Sequence, residues 1–375
     1  MFRNTILFFV LSSLLFSLQF MSSKGDHASK ICVLGGGAWG TTIAAKVANN
    51  ILNDDSYDRM VKMWVYEEII DGRNLTDCIN EDHINSKYIP FKIIPSNIHA
   101  YSDIGEAVHE ADIILFVIPR KFIPTILTQL KGHIKKSAIG LSLIKGLDFI
   151  DGKPQFISEM IQNELDLAHI AVLMGANVAS DVMNGEFVES TLACTDPQVQ
   201  IQLQRLLEGS SFAVEICGDV CGVELCGALK NVVALGAGFC DALQYGSSSK
   251  AAVLRKGLQE MKDLCKLLLP TFQEETILRS CGVADVIASS YGGRNRRCAF
   301  EYASRILEGY TPSTVSWKNI ESDILHGAQI EGLGTCRDLF KCLVESHATN
   351  EFPLFTRIYE VAFAGAPPSS VFLWK

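Results

Sequence analysis

An almost wholly apolar run spans residues 222–243, GVELCGALKNVVALGAGFCDAL, with Lys230 and Asn231 near its centre. This pattern predicts a buried helix. Steps of three or four residues from Lys230 define a face of mostly small residues, so something large is expected to lie against it. The members of this face are Cys226, Gly227, Ala234, Ala237, Gly238 and Asp241.

A lysine in such a run needs an explanation, because burying an unpaired ammonium group costs on the order of several kcal/mol. Two interpretations are open. Lys230 can belong to a core helix and reach solvent with its ammonium group, or it can face a bound ligand as a proton donor or charge stabiliser. The adjacent Asn231 and the space expected beside the glycines favour the second interpretation.

Residues 31–50, ICVLGGGAWGTTIAAKVANN, join an apolar strand, a glycine turn and an alanine-rich helix. Gly35, Gly37 and Gly40 have the spacing of dinucleotide-binding turns, in which they permit a tight turn, close approach of a pyrophosphate and packing of helix on strand. The phosphates then meet the amides at the helix N-terminus. The candidate cofactor contacts here are Gly35, Gly36, Gly37, Ala38, Trp39 and Gly40.

A second strand is predicted over residues 61–68, VKMWVYEE, and its end lies beside the adenosine ribose in this fold. Tyr66, Glu67 and Glu68 stand there, and the next arginine is Arg73. A carboxylate suits the free 2′-hydroxyl of NAD, whereas an arginine suits the 2′-phosphate of NADP. The pattern therefore favours NAD.

Further apolar runs predict additional strands that extend one sheet. They cover residues 113–118, 138–146, 171–177, 190–195 and 212–217, with a helix beginning at Asp196 and Pro197 and another at Ala179. Lys145 ends the second of these runs, where strand ends face the ligand crevice of such a sheet. Phe122 either packs in the core or flanks the nucleotide.

After Cys217 the pattern is helical, with helices predicted over 220–243, 250–269, 298–307, 335–346 and 354–363. The predicted fold is thus an α/β Rossmann-like dinucleotide-binding domain followed by an all-α substrate domain. The expected divisions are an apolar extension (1–25), the NAD-binding domain (26–217) and a helical substrate domain (218–375).

Two polar loops are predicted between these helices. The first, around YGGRNRR, places Asp285 and Ser289 ahead of paired glycines and Arg294, which can wrap a phosphate or form a solvated basic turn. The second, IEGLGTCRDLF, contains Glu331, which either faces the cofactor or is a surface charge, and Thr335, a candidate helix N-cap.

Composition narrows the class of protein. The net charge of -9 and the pI near 5.4 argue against a nucleic-acid partner. The twelve cysteines have no C-x-x-C spacing, so we expect buried, reduced thiols of a cytoplasmic protein and no metal site. Residues 1–20 contradict this simple picture, because Arg3 precedes ILFFVLSSLLFSLQF, the pattern of a secretory signal, an anchor or a dispensable extension ahead of Met21.

Six ordered segments resemble the NAD-dependent glycerol-3-phosphate dehydrogenases of the soluble eukaryotic type. The segments are GGGAWGTTIA, FVIPRKFI, SLIKG, MGANVAS, ELCGALKNVVALGAGFCDAL and YGGRNRR. The resemblance runs from about residue 30 to within ten residues of the end. It implies reversible reduction of dihydroxyacetone phosphate to sn-glycerol 3-phosphate with NADH, and a homodimer built through the helical domain.

The resemblance also implies residue roles. Lys230 protonates the carbonyl oxygen, Lys145 stabilises developing alkoxide charge, and Asp285 orients and balances the lysine. A second ammonium group lowers a lysine pKa and a carboxylate raises it, so Lys145 and Asp285 have opposing effects on Lys230. The implied substrate contacts are Lys145, Asn177, Asn231, Ser289, Arg294 and Asn295. The further implied cofactor contacts are Tyr66, Phe122, Lys145, Ala179, Arg294, Gln329 and Glu331.

Three residues depart from the family pattern: Ser289 replaces a common threonine, Arg120 a common histidine, and Glu331 a glutamine of many animal enzymes. Two alternatives remain. Another Rossmann-plus-helical dehydrogenase, acting on a 3-hydroxy acid or phosphogluconate, is disfavoured by YGGRNRR and SLIKG. A non-catalytic NAD sensor is disfavoured by the presence of Lys230, Lys145 and Asp285. A membrane-tethered form depends only on the residues before Met21.

Overall fold

The computed structural model describes residues 28–150, 153–325 and 329–374. The apolar N-terminal extension predicted over residues 1–25 lies outside these residues. The strands are β1 (Ser29–Leu34), β2 (Tyr57–Trp64), β3 (Ile69–Ile70), β4 (Arg73–Asn74), β5 (Ile84–Asn85), β6 (Ile89–Ile93), β7 (Ile98–Tyr101), β8 (Ile113–Phe116), β9 (Ile139–Ser142), β10 (Asp148–Ile150), β11 (Lys153–Gln155), β12 (His169–Ala176), β13 (Val188–Cys194) and β14 (Phe212–Cys217).

The α-helices follow the same chain order. They are α1 (Ala38–Ile51), α2 (Leu75–Asp82), α3 (Ile104–Val108), α4 (Ile123–Leu130), α5 (Ile157–Leu165), α6 (Ala179–Met183), α7 (Pro197–Leu207), α8 (Val220–Ala242), α9 (Ser247–Leu268), α10 (Asp285–Gly292), α11 (Arg294–Leu307), α12 (Trp317–Leu325), α13 (Glu331–Glu345) and α14 (Pro353–Phe363). Short 3₁₀ turns cover Arg120–Phe122, Glu274–Leu278 and Pro368–Phe372, and a π-helical turn covers Ser280–Ala284.

Eight strands form one sheet in the order β14-β13-β12-β9-β8-β1-β2-β7. All neighbouring pairs are parallel except β12 with β13, so β13 and β14 run opposite to the other six. Strands β8 and β9 are buried along their whole length, as the uninterrupted apolar runs predict. The predicted fold class, a Rossmann-like α/β part followed by a helical part, is confirmed.

Several element boundaries differ from the sequence predictions. Strand β2 ends at Trp64, so Tyr66 follows the strand rather than lying in it. Edge strand β7 was not predicted, because its four residues IHAY are too short and too mixed in polarity to stand out. Helix α7 begins as expected, since the Asp196 carboxylate caps it by accepting hydrogen bonds from the amides of Gln198 and Val199.

Helix α8 lies at the centre of the helical part. Its residues from Gly222 to Cys240 are all buried, and it packs against α9, α10, α11, α13 and strand β12. By length and composition it could cross a membrane, but 89% of its most apolar window is buried inside the protein, which is the pattern of a core helix. All cysteines except Cys221 are buried, as predicted.

The small residues of α8 serve helix packing. A Cβ atom at Gly238 would lie 2.4 Å from the carbonyl oxygen of Arg296, and one at Gly227 would lie 2.8 Å from the Met174 sulfur of β12. The elements that pack against this face of α8 are therefore α11 and the sheet. The expectation that the glycines clear space for a ligand is wrong at these two positions.

The two polar stretches predicted as loops are mostly helical. Asp285 to Gly292 forms α10, Gly293 is the extended break, and Arg294 begins α11. Helix α13 begins at Glu331, so Thr335 lies inside it, buried, and bonds back to the Glu331 carbonyl oxygen at 3.3 Å instead of capping it. Helix α12 was also missed, although Trp317, Ile320, Ile324 and Leu325 have helical spacing.

Candidate active site

The carboxyl ends of three parallel strands bring predicted contacts to one edge of the sheet. Gly35 follows β1, Lys145 lies three residues beyond β9, and Asn177 follows β12. Strands β12, β9, β8 and β1 are neighbours in the sheet, in that order. The direction in which the chain adds strands to the sheet reverses between β1 and β8. Such a reversal opens a crevice at the strand ends where nucleotides bind.

The glycine turn has the geometry that this crevice requires. Gly35 adopts φ +128°, and a Cβ there would lie 2.3 Å from the Val117 carbonyl oxygen. A Cβ on Gly40 would lie 1.9 Å from the Gly35 carbonyl oxygen, so the predicted packing of helix on strand is confirmed. Gly37 has no atom within 4 Å of its Cβ position, which leaves room for an approaching pyrophosphate. The residues present thus fit a dinucleotide.

A pocket of about 310 Å³ adjoins this turn. It is lined by Ala38 at the start of α1, Ala179 at the start of α6, and the β5–β6 hairpin, among others. The structure therefore brings together two candidate cofactor contacts that lie far apart in the sequence. Trp39, beside Ala38, is partly buried and packs against the apolar core of the sheet.

The Asp285 carboxylate lies between two lysines. Its Oδ1 is 2.9 Å from Lys230 Nζ, and its Oδ2 is 2.8 Å from Lys145 Nζ. Lys145 comes from the sheet edge, Lys230 from the middle of α8 and Asp285 from the first residue of α10. Lys230 is 6% exposed and Asp285 3% exposed, so the interpretation in which Lys230 reaches solvent from a core helix is wrong.

Polar side chains complete the surroundings of this trio. Lys230 Nζ donates to Ser289 Oγ at 2.5 Å, and Ser289 donates to Asp285 Oδ1 at 3.1 Å. Lys145 Nζ donates to the Gly175 carbonyl oxygen at 3.1 Å and lies 3.5 Å from Asn177 Oδ1. Asn231, next to Lys230, accepts from Asn295 Nδ2 at 2.8 Å. The predicted lysines, aspartate, serine and asparagines therefore meet in one site.

Burial and charge set the ionisation of the site. Burial lowers the pKa of Lys230 to about 8, with Lys145 adding to the decrease and Asp285 opposing it. Burial alone would raise the pKa of Asp285, but the adjacent Lys145 and Lys230 hold it below its usual value. The site thus contains an ionised carboxylate beside a lysine that can release its proton near neutral pH.

The outer candidates lie at more open positions. Tyr66 is 73% exposed and Phe122 is 49% exposed, so the interpretation of Phe122 as a core residue is wrong. Arg294, the first residue of α11, and Gln329 are also exposed, while Glu331 begins α13. Arg120 donates to the Leu147 carbonyl oxygen and lies 4.0 Å from Asp338 of α13.

The carboxylates on which the sequence argument for NAD relied have other partners. Glu67 accepts from the amide of Thr76 at 3.2 Å at the start of α2, and Glu68 pairs with Lys87. Their recognition of a ribose hydroxyl therefore stays a prediction, and the argument for NAD rests on other observations.

Ser190 is a site residue that the sequence analysis missed. Its buried Oγ accepts from Asn177 Nδ2 at 2.8 Å, which turns Asn177 Oδ1 towards Lys145. Gly332 was also missed: its amide donates to Asn295 Oδ1 at 2.9 Å and so holds the amide that contacts Asn231. For Ser190 the detectable signal was the pair of adjacent hydroxyl residues, Ser190 and Thr191, ahead of the apolar residues that end strand β13.

Comparison with known proteins identifies the family of this chain. Residues 30–200 match the family model described as NAD-dependent glycerol-3-phosphate dehydrogenase N-terminus, and residues 219–373 match the corresponding C-terminus. The chain is 42% identical to the human cytoplasmic glycerol-3-phosphate dehydrogenase [NAD(+)] over 91% of this chain and 95% of that protein.

Solved structures give the same result. The glycerol-3-phosphate dehydrogenase of Plasmodium falciparum superposes with a TM-score of 0.87 at 32% identity, covering 93% of this chain and 95% of that one. The enzyme of the yeast Saccharomyces cerevisiae superposes with a TM-score of 0.83 at 35% identity, covering 92% and 98%.

Proposed function

Because this chain belongs to the NAD-dependent glycerol-3-phosphate dehydrogenase family, we propose that it reduces dihydroxyacetone phosphate to glycerol 3-phosphate with Lys230 as the proton donor. The observation that carries this assignment is the buried contact of Lys230 with Asp285 at 2.9 Å, beside the edge of the sheet where the glycine turn lies. NADH, when bound, supplies the hydride for the carbonyl carbon.

The reduction makes an alkoxide that needs a proton. With its pKa lowered to about 8 by burial, Lys230 is mostly protonated at neutral pH, yet it gives up its proton far more readily than an exposed lysine. Asp285 holds the ammonium group in place, and Lys145 adds a second positive charge near the developing negative oxygen. In the reverse direction neutral Lys230 accepts the proton from the substrate hydroxyl.

We assign the substrate's polar ends to the residues around this trio. Asn177, Asn231 and Ser289 supply neutral hydrogen-bonding groups beside the lysines. Arg294 stands exposed at the first position of α11, after extended Gly293, where a guanidinium group and helix amides suit a phosphate. Asn295 follows it and contacts Asn231, which joins the phosphate end to the carbonyl end.

Assembly, location and domain division are part of the same proposal. We propose a homodimer formed through the helical part, where exposed apolar side chains such as Tyr291, Leu307 and Tyr310 are available for burial. We further propose a cytoplasmic location, as in the name of the human relative, with membrane contact only through residues 1–20. The proposed functional units are residues 26–217 for NAD and 218–375 for substrate and dimerisation.

The test follows NADH oxidation at 340 nm by the chain from Met21, with dihydroxyacetone phosphate, unphosphorylated dihydroxyacetone and, separately, NADPH. We expect rapid turnover only with NADH and the phosphorylated ketone. The Arg294→Ala variant should raise KM for dihydroxyacetone phosphate by about 10–100-fold, because it removes a charge-assisted contact to the phosphate. Arg297→Ala, on the same helix and bonded to the Ile324 carbonyl oxygen, is the matched control.

Two results would contradict the proposal. Bound NADH without turnover favours the sensor, and turnover with a 3-hydroxy acid or phosphogluconate favours the other dehydrogenase class. An unchanged KM in Arg294→Ala removes Arg294 from the phosphate site without affecting the assignment of the reaction.

A further inference from the structure

Asn85 forms its side-chain hydrogen bonds with the glycine turn and its own hairpin and not with the Asp285 site, and it has no role in the reaction described above. It belongs to the β5–β6 hairpin, is fully buried, and reaches the glycine turn 49 residues earlier in the chain. Its Nδ2 donates to the Gly36 carbonyl oxygen at 2.8 Å and to Thr41 Oγ1 at 2.7 Å. Its Oδ1 accepts from the Tyr88 amide at 3.1 Å. Every hydrogen-bonding group of this amide is therefore used, which fixes its orientation.

The contact matters because of what the Gly36 carbonyl group controls. In a planar trans peptide, the carbonyl of Gly36 and the N–H of Gly37 point in opposite directions. The structure has no cis peptide bond among its described residues. A Gly36 carbonyl drawn towards Asn85 and Thr41 therefore directs the Gly37 N–H away from this buried pair, and Gly37 is the turn residue with open space around it.

Such a restraint is needed in this turn. Gly35, Gly36 and Gly37 are consecutive, and glycine torsions are weakly restricted, so the peptide between Gly36 and Gly37 can rotate unless something holds it. The Thr41 hydroxyl, 3.3 Å from the same carbonyl oxygen, is the second group that holds it. Asn85 thus restrains, from outside the turn, a peptide that the glycine backbone itself leaves free to rotate.

We propose that Asn85 is a positioning residue for the cofactor pyrophosphate: by holding the Gly36 carbonyl group, it aims the Gly37 amide at the phosphate oxygens. This inference rests on the proposed cofactor site, in which the pyrophosphate lies at the start of α1. It predicts an effect on ligands that carry the pyrophosphate and none on the chemistry at Lys230.

The test measures dissociation constants for NADH, ADP-ribose and adenosine by NADH fluorescence and its competition. Asn85→Ala should weaken the binding of NADH and ADP-ribose about 10–30-fold and the binding of adenosine less than twofold, because only the pyrophosphate contacts the Gly37 amide. The side chain introduced by Asn85→Asp has nearly the same shape, but an ionised carboxylate cannot donate to a carbonyl oxygen. This variant should therefore bind both pyrophosphate ligands still more weakly. At saturating NADH, kcat and the KM for dihydroxyacetone phosphate should stay within threefold of the unsubstituted enzyme.

Asn80→Ala is the matched control. Asn80 also bridges backbone, donating to the Ala100 carbonyl oxygen and accepting from its amide, but at edge strand β7 rather than at the glycine turn. Its substitution should change all three affinities by less than twofold. Equal losses in Asn80→Ala and Asn85→Ala, or an equal loss for adenosine and ADP-ribose, would overturn the proposal.

Two further measurements distinguish the possible outcomes. If Asn85→Ala does not fold, Thr41→Val removes the second restraint, and we expect ADP-ribose to bind at least threefold more weakly; unchanged binding rejects the positioning role. In the unsubstituted protein, ADP-ribose should bind at least tenfold more tightly than adenosine. Absence of that preference rejects the proposed cofactor site itself, whereas its presence without any Asn85 effect rejects only the role of Asn85.

Discussion

Helix α8 contributes to two clusters built from the same ingredients, a carboxylate with two cations. In the Asp285 cluster, Asp285 pairs with Lys230 of α8 and with Lys145. In the Asp241 cluster, Asp241 of α8 pairs with Lys250 Nζ at 2.8 Å and with Arg296 Nε at 2.5 Å. Both are largely buried, so composition and burial alone do not distinguish a reactive site from a structural one.

The difference lies in what each cluster connects. The Asp241 cluster joins the three helices α8, α9 and α11, and its Lys250 lies 4.2 Å from the centre of the Tyr291 ring. The Asp285 cluster joins two helices to the crevice edge of the sheet, and burial lowers the pKa of its lysine to about 8. A charged cluster becomes chemically useful where it meets a ligand crevice and contains a group that titrates near neutral pH.

Replacement of Lys230 should give the largest effect. Lys230→Ala removes the proton donor, so we expect kcat to fall by about 10²–10⁴-fold while the NADH dissociation constant stays within threefold. Steady-state kinetics and NADH fluorescence measure the two quantities. Lys250→Ala, the equivalent change in the Asp241 cluster, should leave kcat within threefold. Loss of NADH binding in Lys230→Ala would instead make Lys230 a structural residue.

The pH dependence should follow Lys230. Ketone reduction needs the protonated lysine, which predominates below its pKa of about 8, so kcat should be about tenfold lower at pH 9 than at pH 7. Alcohol oxidation needs neutral Lys230 and should increase over the same range. Both profiles are measured at saturating substrate, with thermal melting at each pH as the control for stability. A reduction rate that is flat through pH 9 would contradict the assignment.

The two clusters also show what the sequence can reveal. Lys230 stood out because an ammonium group in an apolar run needs a partner, and the glycine turn stood out through its spacing. The partnership of Lys145 with Asp285, 140 residues apart, depends on the sheet edge and appeared in the sequence only through the family resemblance. Periodicity contains no information about such distant contacts.

The failures have the same origin. Gly227 and Gly238 were assigned to ligand space, yet they accommodate Met174 and the backbone of α11. Arg294 to Arg297 was predicted as a loop because this segment contains no apolar residue, so the predicted helix began only at Cys298, whereas the helix begins at Arg294. Ser190 was missed because a buried hydroxyl group in a strand has no sequence pattern that marks its partner.

The Asp241 cluster should affect stability rather than activity. Asp241→Asn weakens two ion pairs whose groups are mostly buried, so we expect a loss of about 2 kcal/mol in the free energy of unfolding. Denaturant unfolding measures this loss, and kcat at 25 °C should remain within threefold. Asp285→Asn is the matched variant and should reduce kcat at least a hundredfold. A comparable loss of kcat in both variants would show that the clusters do not differ as described.

The smallest effect concerns Ser190, which orients an amide next to the Asp285 cluster. Ser190→Ala removes the acceptor for Asn177 Nδ2, leaving the Asn177 amide free to turn, so we expect KM for dihydroxyacetone phosphate to increase about 3–10-fold. Ser190→Thr keeps the hydroxyl group and should restore KM to within twofold of the unsubstituted enzyme. If Ser190 served only packing, this variant would not restore KM, because threonine adds a methyl group to a fully buried position. Equal KM values for the two variants would show that the Ser190 hydroxyl group does not contribute to substrate binding. Asn177 would then be the outermost residue that positions groups around the Asp285 cluster.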